Sequence, residues 1–286
     1  MSGTKIKQVV VGIDGSEQAE RAALWAADEA LSDNARLRLI YVIRTDLSGP
    51  LAAADYETAV AAAKHTLTSA RERIDERGGG VTVSTTIAQG SPAAVLLAES
   101  DGAALVCVGW SGMNRMAIAL MGSTATTVAD KATCPVAIVR TPADPATRGS
   151  QSRWIIVEVG ANSRDNCPVV NDAVAEARLR ELPVLAVWTD AGSDKSCVDA
   201  VNLLVSRWKQ KFPDVHIYPV ATSHGLAQFL RASPELGGVI MIDGDNSPDV
   251  PSTVNAIGHA SPVELAVVVT HTAKTSEMSK SSAARC

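Results

Sequence analysis

Short apolar runs rich in β-branched residues recur along the chain, and longer segments with the period of a helix separate them. Because the runs do not alternate strictly with polar residues, they predict strands covered on both faces, as in a parallel sheet. The alternation of strand and helix predicts a doubly wound α/β fold with right-handed crossovers. In the first half the predicted strands are 9–13, 37–42, 81–83, 104–108 and 135–139, and the predicted helices are 17–31, 56–77, 92–99 and 123–131.

The second half of the chain repeats this order. Its predicted strands are 154–157, 183–187, 215–218, 239–242 and 265–269. Local similarities support an internal repeat: Ala-Ala-Asp-Glu-Ala at 26–30 is similar to Ala-Val-Ala-Glu-Ala at 173–177, and Ser-Thr recurs at 123–124 and 252–253. We therefore expect two tandem domains, at 1–142 and 152–272, and a disordered tail at 273–286.

The composition narrows the classes of partner. Of the 286 residues 46% are hydrophobic and 3% aromatic, and the net charge is −5. A mildly acidic chain with few aromatic residues is not expected to bind nucleic acid or an anionic membrane. The start of the chain, residues 1–8, lacks the long apolar segment of a signal peptide, and no uninterrupted apolar stretch is long enough to span a bilayer. These features favour a cytoplasmic protein.

The cysteines and histidines do not suggest a metal centre or a disulfide framework. The five cysteines form no CxxC pair, and the five histidines lack metal-ligand spacing. Cys107 and Cys134 stand in apolar surroundings and are predicted to be buried core residues.

A glycine-rich segment follows the fourth predicted strand. Two residues separate Gly109 from Gly112, nine separate Gly112 from Gly122, and Ser123 and Thr124 follow at once. Glycines allow a positive φ and a close approach of the backbone to a ligand. The free amides at the start of the next helix, with two hydroxyls, then suit a polyphosphate. Glycines in such turns can also serve purely steric needs.

The spacing G-x2-G-x9-G-[S/T], together with Cys-Pro-Val at 134–136 and the opening 10–16, resembles the ATP-binding class of the universal stress protein family. The resemblance covers 5–141, and in fold, though not in motif, it extends over 152–270. It implies a five-stranded parallel sheet of order 3-2-1-4-5 in each domain. A ligand would then lie at the switch point between strands one and four.

The same resemblance assigns further residues to an adenine nucleotide. Asp14 would bind the ribose hydroxyls, and Val42, at the end of strand two, would hold the adenine through its backbone. Gly12 would line the site, and Arg115 could reach a phosphate or remain a solvated surface charge. Asp14 has an alternative interpretation as a helix N-cap, because Asp-Gly-Ser-Glu at 14–17 also fits a capping box.

Two functions remain open for the first domain: an ATP- or AMP-binding regulatory module, and a slow ATPase or phosphotransferase. The chain lacks the P-loop motif and the G-x-G-x-x-G of dinucleotide enzymes, and the acidic pair and lysine of response-regulator receivers are missing. The binding module is therefore favoured, and no catalytic residue is assigned. Mg²⁺, where present, would be held mainly by the phosphates and by oxygens such as that of Ser123.

The second domain is predicted to lack the nucleotide site, since Asn162 stands near the place of Asp14 and Pro251 precedes its Ser-Thr pair. The fifth strands, at 135–140 and 263–270, would each leave an apolar edge. We expect these edges to pair antiparallel as an intramolecular pseudo-dimer, a pairing that the family resemblance also suggests. A homodimer of whole chains and an unidentified protein partner are compatible with the sequence.

Overall fold

A computed structural model of the chain describes residues 7–45, 53–110, 121–140, 152–159, 168–189, 195–247, 249–260 and 264–271. Strands and helices alternate along it. The first half contains β1 (Gln8–Ile13), α1 (Glu17–Ser32), β2 (Arg36–Arg44), α2 (Ala53–Arg77), β3 (Val83–Gly90), α3 (Pro92–Ser100), β4 (Leu105–Gly109), α4 (Ser123–Lys131) and β5 (Val136–Arg140). The second half contains β6 (Ser152–Val159), α5 (Pro168–Arg180), β7 (Val184–Trp188), α6 (Lys195–Lys211), β8 (Ile217–Ala221), α7 (Leu226–Ala232), β9 (Leu236–Asp243), α8 (Val250–Ala260) and β10 (Leu265–Thr270).

All ten strands join in one sheet of order β3-β2-β1-β4-β5-β10-β9-β6-β7-β8. Each half therefore has the order 3-2-1-4-5, and every pairing within a half is parallel. The predicted pair of tandem doubly wound units is confirmed. The domain boundaries at 142 and 152 stay a prediction.

The two halves meet at their fifth strands. β5 and β10 pair antiparallel, with Ile138 opposite Val267 and Val136 opposite Val269. All four of these side chains are buried. The predicted antiparallel pairing of the fifth strands is therefore confirmed, and it covers the apolar edge that each half would otherwise expose.

Helices cover both faces of the sheet. α1, α2, α5 and α6 pack on one face, and α3, α4, α7 and α8 pack on the other. Alanines let α1 lie close to the sheet: its buried positions are Ala19, Ala22, Ala23, Ala26, Ala27 and Ala30, which follow the helical period. Within the described ranges, no helix is both long and apolar enough to cross a membrane.

The third strand was placed too early by the sequence pattern. A strand was predicted at 81–83, whereas β3 runs over Val83–Gly90. β3 lies at an edge of the sheet and much of it is exposed, so it needs no apolar run. The apolar pattern was therefore a poor guide to this strand.

Candidate functional site

The carboxyl ends of β1 and β4 lie side by side in the first half, where α1 and α4 diverge to opposite faces of the sheet; a doubly wound fold is expected to have its crevice there. The two strands are neighbours, and Val11 lies opposite Cys107, which brings Ile13 level with Gly109. α1 leaves β1 toward one face, and α4 follows β4 on the other face. This is the topological switch point of a doubly wound sheet, where such folds bind ligands.

Asp14 follows β1 at this crevice and is half-buried. Its Oδ1 accepts hydrogen bonds from the Ser16 amide at 2.9 Å and from the Ser16 hydroxyl at 2.6 Å. Ser16 is the N-cap of α1 and accepts from the Ala19 amide at 3.2 Å. The N-cap interpretation of Asp14 is therefore wrong. No described residue donates to its Oδ2, which leaves that oxygen available to a ligand.

Gly109 is explained by packing. A Cβ there would lie 2.7 Å from the carbonyl carbon of Gln18 and 2.8 Å from the amide nitrogen of Ala19. Only glycine lets β4 end this close to the first turn of α1. A Cβ at Gly12 would lie 2.9 Å from Cδ1 of Leu96. Because Cδ1 is the far end of a side chain that can shift, packing alone does not require glycine at position 12, and the role of Gly12 in lining a ligand site stays a prediction.

The start of α4 is open, which here means that no side chain caps its first amides. Gly122 is the N-cap, with φ −62° and ψ 150° and no side-chain cap. The positive φ that glycine allows is not used at Gly122 or at Gly109, whereas Gly15 adopts one (φ 85°). In the first turn, the amides of Ser123 and Thr124 have no intrahelical acceptor, and no described residue accepts from them.

One amide at this helix start is already used. The Gly122 amide donates to the Trp110 carbonyl at 2.9 Å, so the expectation that it is free for a phosphate is wrong. This bond draws the start of α4 toward the end of β4. The amides and hydroxyls of Ser123 and Thr124 therefore lie at the same end of the sheet as Asp14.

Of the predicted residues Val42, Gly112 and Arg115, the structure describes Val42. Val42 is half-buried in β2, one residue beyond Tyr41, the partner of Ile13, so it lies level with Asp14. It does not end the strand, because β2 continues to Arg44. Gly112 and Arg115 lie outside the described residues.

The start of α8, the corresponding helix of the second half, is closed, which here means that a side chain caps its first amides. Asp249 accepts the Ser252 amide through Oδ1 at 3.1 Å, and its carbonyl accepts the Thr253 amide at 3.0 Å. Hydrogen bonds from Ser252 hold the pKa of Asp249 below its usual range. Pro251 contributes no N–H. This cap was not predicted from the sequence, although aspartate just before Val-Pro-Ser is a recognisable helix-start signal.

Metal and thiol chemistry are not indicated. In the described ranges, no group of three or more histidine, cysteine, aspartate or glutamate side chains is arranged to hold a metal ion. Cys107 and Cys134 are buried free thiols, as predicted. Burial raises the pKa of Cys134 to about 12, which keeps it protonated and unreactive.

Comparisons with known proteins give a consistent result. The profile of the Universal stress protein family matches residues 5–140. A universal stress protein of Mycobacterium tuberculosis is 36% identical over 255 residues, which are 89% of this chain and 92% of the relative. A second from the same organism is 35% identical over 262 residues, covering 90% and 92%. The crystal structure of a universal stress protein from Archaeoglobus fulgidus matches 91% of this chain and 95% of its own, with a TM-score of 0.68 at 15% identity.

Proposed function

The chain belongs to the universal stress protein family, and we propose that its first half binds ATP, or AMP or ADP, and acts as a nucleotide-dependent regulatory module with little turnover. One observation carries the proposal. The start of α4 is uncapped and presents the free amides of Ser123 and Thr124 at the crevice that also holds Asp14. Free amides at a helix start bind phosphate groups, and a carboxylate can accept hydrogen bonds from both ribose hydroxyls.

The residues present fit such a ligand. Asp14 has one oxygen to which no described residue donates, while the other oxygen holds the turn into α1, so ligand binding need not disrupt the turn. The hydroxyls of Ser123 and Thr124 would add donors to the phosphates. A divalent ion bound with the nucleotide would take most of its ligands from the phosphates, and Ser123 could supply one more. Val42, Gly12, Gly112 and Arg115 complete the proposed site.

The second half, in our proposal, does not bind nucleotide and serves as a structural or partner-binding unit. The start of α8 already satisfies its amides with Asp249. A phosphate would have to displace this carboxylate and would meet its negative charge.

Low turnover follows from the groups available. Amides and hydroxyls hold phosphates in the ground state, whereas catalysis requires interactions that strengthen in the transition state. The sequence has no P-loop lysine to provide them. The bound form would instead act through a protein partner or a second copy of the chain. The cytoplasmic location stays a prediction from the sequence.

Calorimetric titration tests the proposal. Protein freed of co-purified nucleotide is titrated with ATP, ADP and AMP, and ADP formation is followed by chromatography. We expect saturable binding and turnover far below the roughly 1–100 s⁻¹ of working kinases. Failure to bind all three nucleotides would overturn the proposal, and turnover in the kinase range would favour the phosphotransferase alternative.

A further inference from the structure

Trp110, the residue that follows β4, reaches across to the second half of the molecule. Its side chain is buried and its ring packs against Gly258 of α8. A Cβ at Gly258 would lie 2.0 Å from Cη2 of the ring, 2.3 Å from Cζ2 and 2.5 Å from Cζ3. Gly258 has no positive φ that would require glycine, so the missing side chain serves the contact with Trp110.

A second contact lies one turn away on the same helix. Oδ1 of Asn255 accepts a hydrogen bond from the Met121 amide at 3.2 Å. Asn255 and Gly258 are three residues apart and share a face of α8. Met121 directly precedes Gly122, whose amide donates to the Trp110 carbonyl. One face of α8 therefore contacts Trp110 and Met121, the residues on either side of the segment 111–120.

We propose that α8 of the second half, through Asn255 and Gly258, positions the start of α4 for phosphate binding in the first half. This inference rests on the proposed function. Asn255 and Gly258 are positioning residues, because they act on the site through Met121 and Trp110. The second half thereby contributes to a site that it does not itself carry.

The physical reason is preorganisation. Amides bind a phosphate well only when the backbone already holds them in the bound geometry, since ordering them at the moment of binding costs free energy. Gly122 has no side-chain cap that could fix the helix start. That restraint comes from the hydrogen bonds that Met121 donates to Asn255 and Gly122 donates to Trp110, together with the packing of the Trp110 ring on Gly258.

Two substitutions in α8 test the role. Asn255→Ala removes the acceptor of the Met121 amide, and Gly258→Ala places a methyl group where the ring of Trp110 lies. For each we expect ATP to bind about fivefold to tenfold more weakly, the effect of losing roughly one hydrogen bond's worth of restraint. His259→Ala, a change of an exposed neighbour on the same helix, should leave the affinity unchanged. Adding Trp110→Phe to Gly258→Ala should recover part of the loss, because the smaller ring makes room for the methyl group.

Affinity is measured calorimetrically on the full chain, and folding is checked by circular dichroism and thermal melting. A merely structural role would lower the melting temperature and leave the ATP affinity of the folded protein unchanged. That result for Asn255→Ala would overturn the inference even where Gly258→Ala does not fold. If the unsubstituted chain binds no ATP, ADP or AMP, the proposed function fails and the inference falls with it. If the unsubstituted chain binds ATP and both variants bind equally well, the inference alone fails.

Discussion

In the proposed site, Asp14 serves both folding and binding. Its Oδ1 holds the turn between β1 and α1 by accepting two hydrogen bonds from Ser16. Its Oδ2 receives no hydrogen bond from a described residue. A substitution that changes one oxygen and keeps the other can therefore separate the two roles.

Asp14→Asn makes this separation. The amide oxygen of asparagine can still accept from Ser16, whereas the second oxygen becomes an NH₂ donor and the charge is lost. We expect ATP to bind about tenfold more weakly or worse, because charge-assisted hydrogen bonds contribute roughly 1.5–3 kcal/mol each. The melting temperature should be unchanged. Asp14→Ala should bind as weakly and also melt earlier. Calorimetry showing full affinity for the asparagine variant would contradict a ribose-binding role.

A second group of residues joins the two halves near the seam, the place where β5 and β10 pair. It lies on the face of the sheet that carries α1 and α5, opposite to the face that carries α8. Arg180 of α5 donates hydrogen bonds to Glu29 of α1 and to Glu176, and its guanidinium lies 4.7 Å from the ring centroid of Trp25. The side chains of Arg180, Glu29 and Glu176 are at most 12% exposed. Burial and the nearby Glu176 raise the pKa of Glu29 from 4.5 to about 9, although Arg180 acts in the other direction.

This raised pKa predicts a pH-dependent stability. Between pH 4.5 and about 9 the folded chain keeps a proton on Glu29 that the unfolded chain releases, so stability should fall as the pH rises through this window. The slope is at most about 1.4 kcal/mol per pH unit for one proton. Asp172, whose pKa burial and Glu176 also raise, acts in the same direction.

Denaturant unfolding from pH 5 to pH 9 measures the effect. Glu29→Gln cannot titrate and should flatten the dependence, whereas Glu57→Gln at an exposed site on α2 should leave it unchanged. An equally steep fall in the Glu29→Gln protein would show that other groups are responsible.

The first turns of α4 and α8 show how a helix start can be open or closed. α4 begins at Gly122 without a side-chain cap, whereas Asp249 caps α8. Both helices follow the fourth strand of their half, and both carry a Ser-Thr pair in the first turns. We therefore expect the difference in the cap to decide whether the amides can bind a ligand.

Gly122→Asp should convert the open start into a closed one. The extended backbone of Gly122 (φ −62°, ψ 150°) accepts any residue, and the new carboxylate would take the amides and repel phosphate. We expect ATP affinity to fall about tenfold or more without loss of thermal stability.

Gly225→Asp provides a matched control. Gly225 caps α7 with nearly the same backbone (φ −64°, ψ 160°) and also lacks a side-chain cap, and a Cβ there meets open space. It adds the same charge away from the site and should leave ATP affinity unchanged. Equal losses in both variants would point to net charge instead of the helix start.

Much of this architecture could be predicted from the sequence because it rests on local patterns. The buried apolar runs identified β1, β4, β5 and their counterparts, and α4 was predicted with the bounds it has, Ser123–Lys131. The polar edge strand β3 was misplaced because it lacks such a run. The contact of Trp110 with Gly258 could not be predicted, since it joins residues far apart in sequence whose types carry no mutual signal.

At the scale of the whole molecule, the two halves share one continuous sheet but differ in how the helix after strand four is capped. From the open start of α4 and the closed start of α8 we expect one ATP per chain at saturation. Calorimetry and native mass spectrometry measure this ratio independently. Two nucleotides per chain, or one found beside 243–253, would contradict the proposed asymmetry.

The halves correspond closely enough for their seam contacts to be compared. The amides of Trp110 and Gly244 both donate to strand five of their own half, at 2.8 Å to Val139 and 2.9 Å to Thr270, so they hold equivalent places. The buried positions of α4 include Ala125, Val128 and Ala129, and those at the same spacing in α8 are Val254, Ile257 and Gly258. Ala129 therefore stands where Gly258 does.

The packing of Trp110 on Gly258 thus has no counterpart between the equivalent residues Gly244 and Ala129. On the other side of the seam Gly244 replaces the tryptophan, and His271 hydrogen-bonds to the Ala129 carbonyl at 3.1 Å. Two copies of the first half, joined in the same way, would press Trp110 against the methyl group of Ala129. We therefore expect the two halves of a newly synthesised chain to pair with each other, and we expect little domain swapping between neighbouring chains. The missing methyl group at Gly258 would in this way favour the pairing of a first half with a second half, whether or not a ligand is bound.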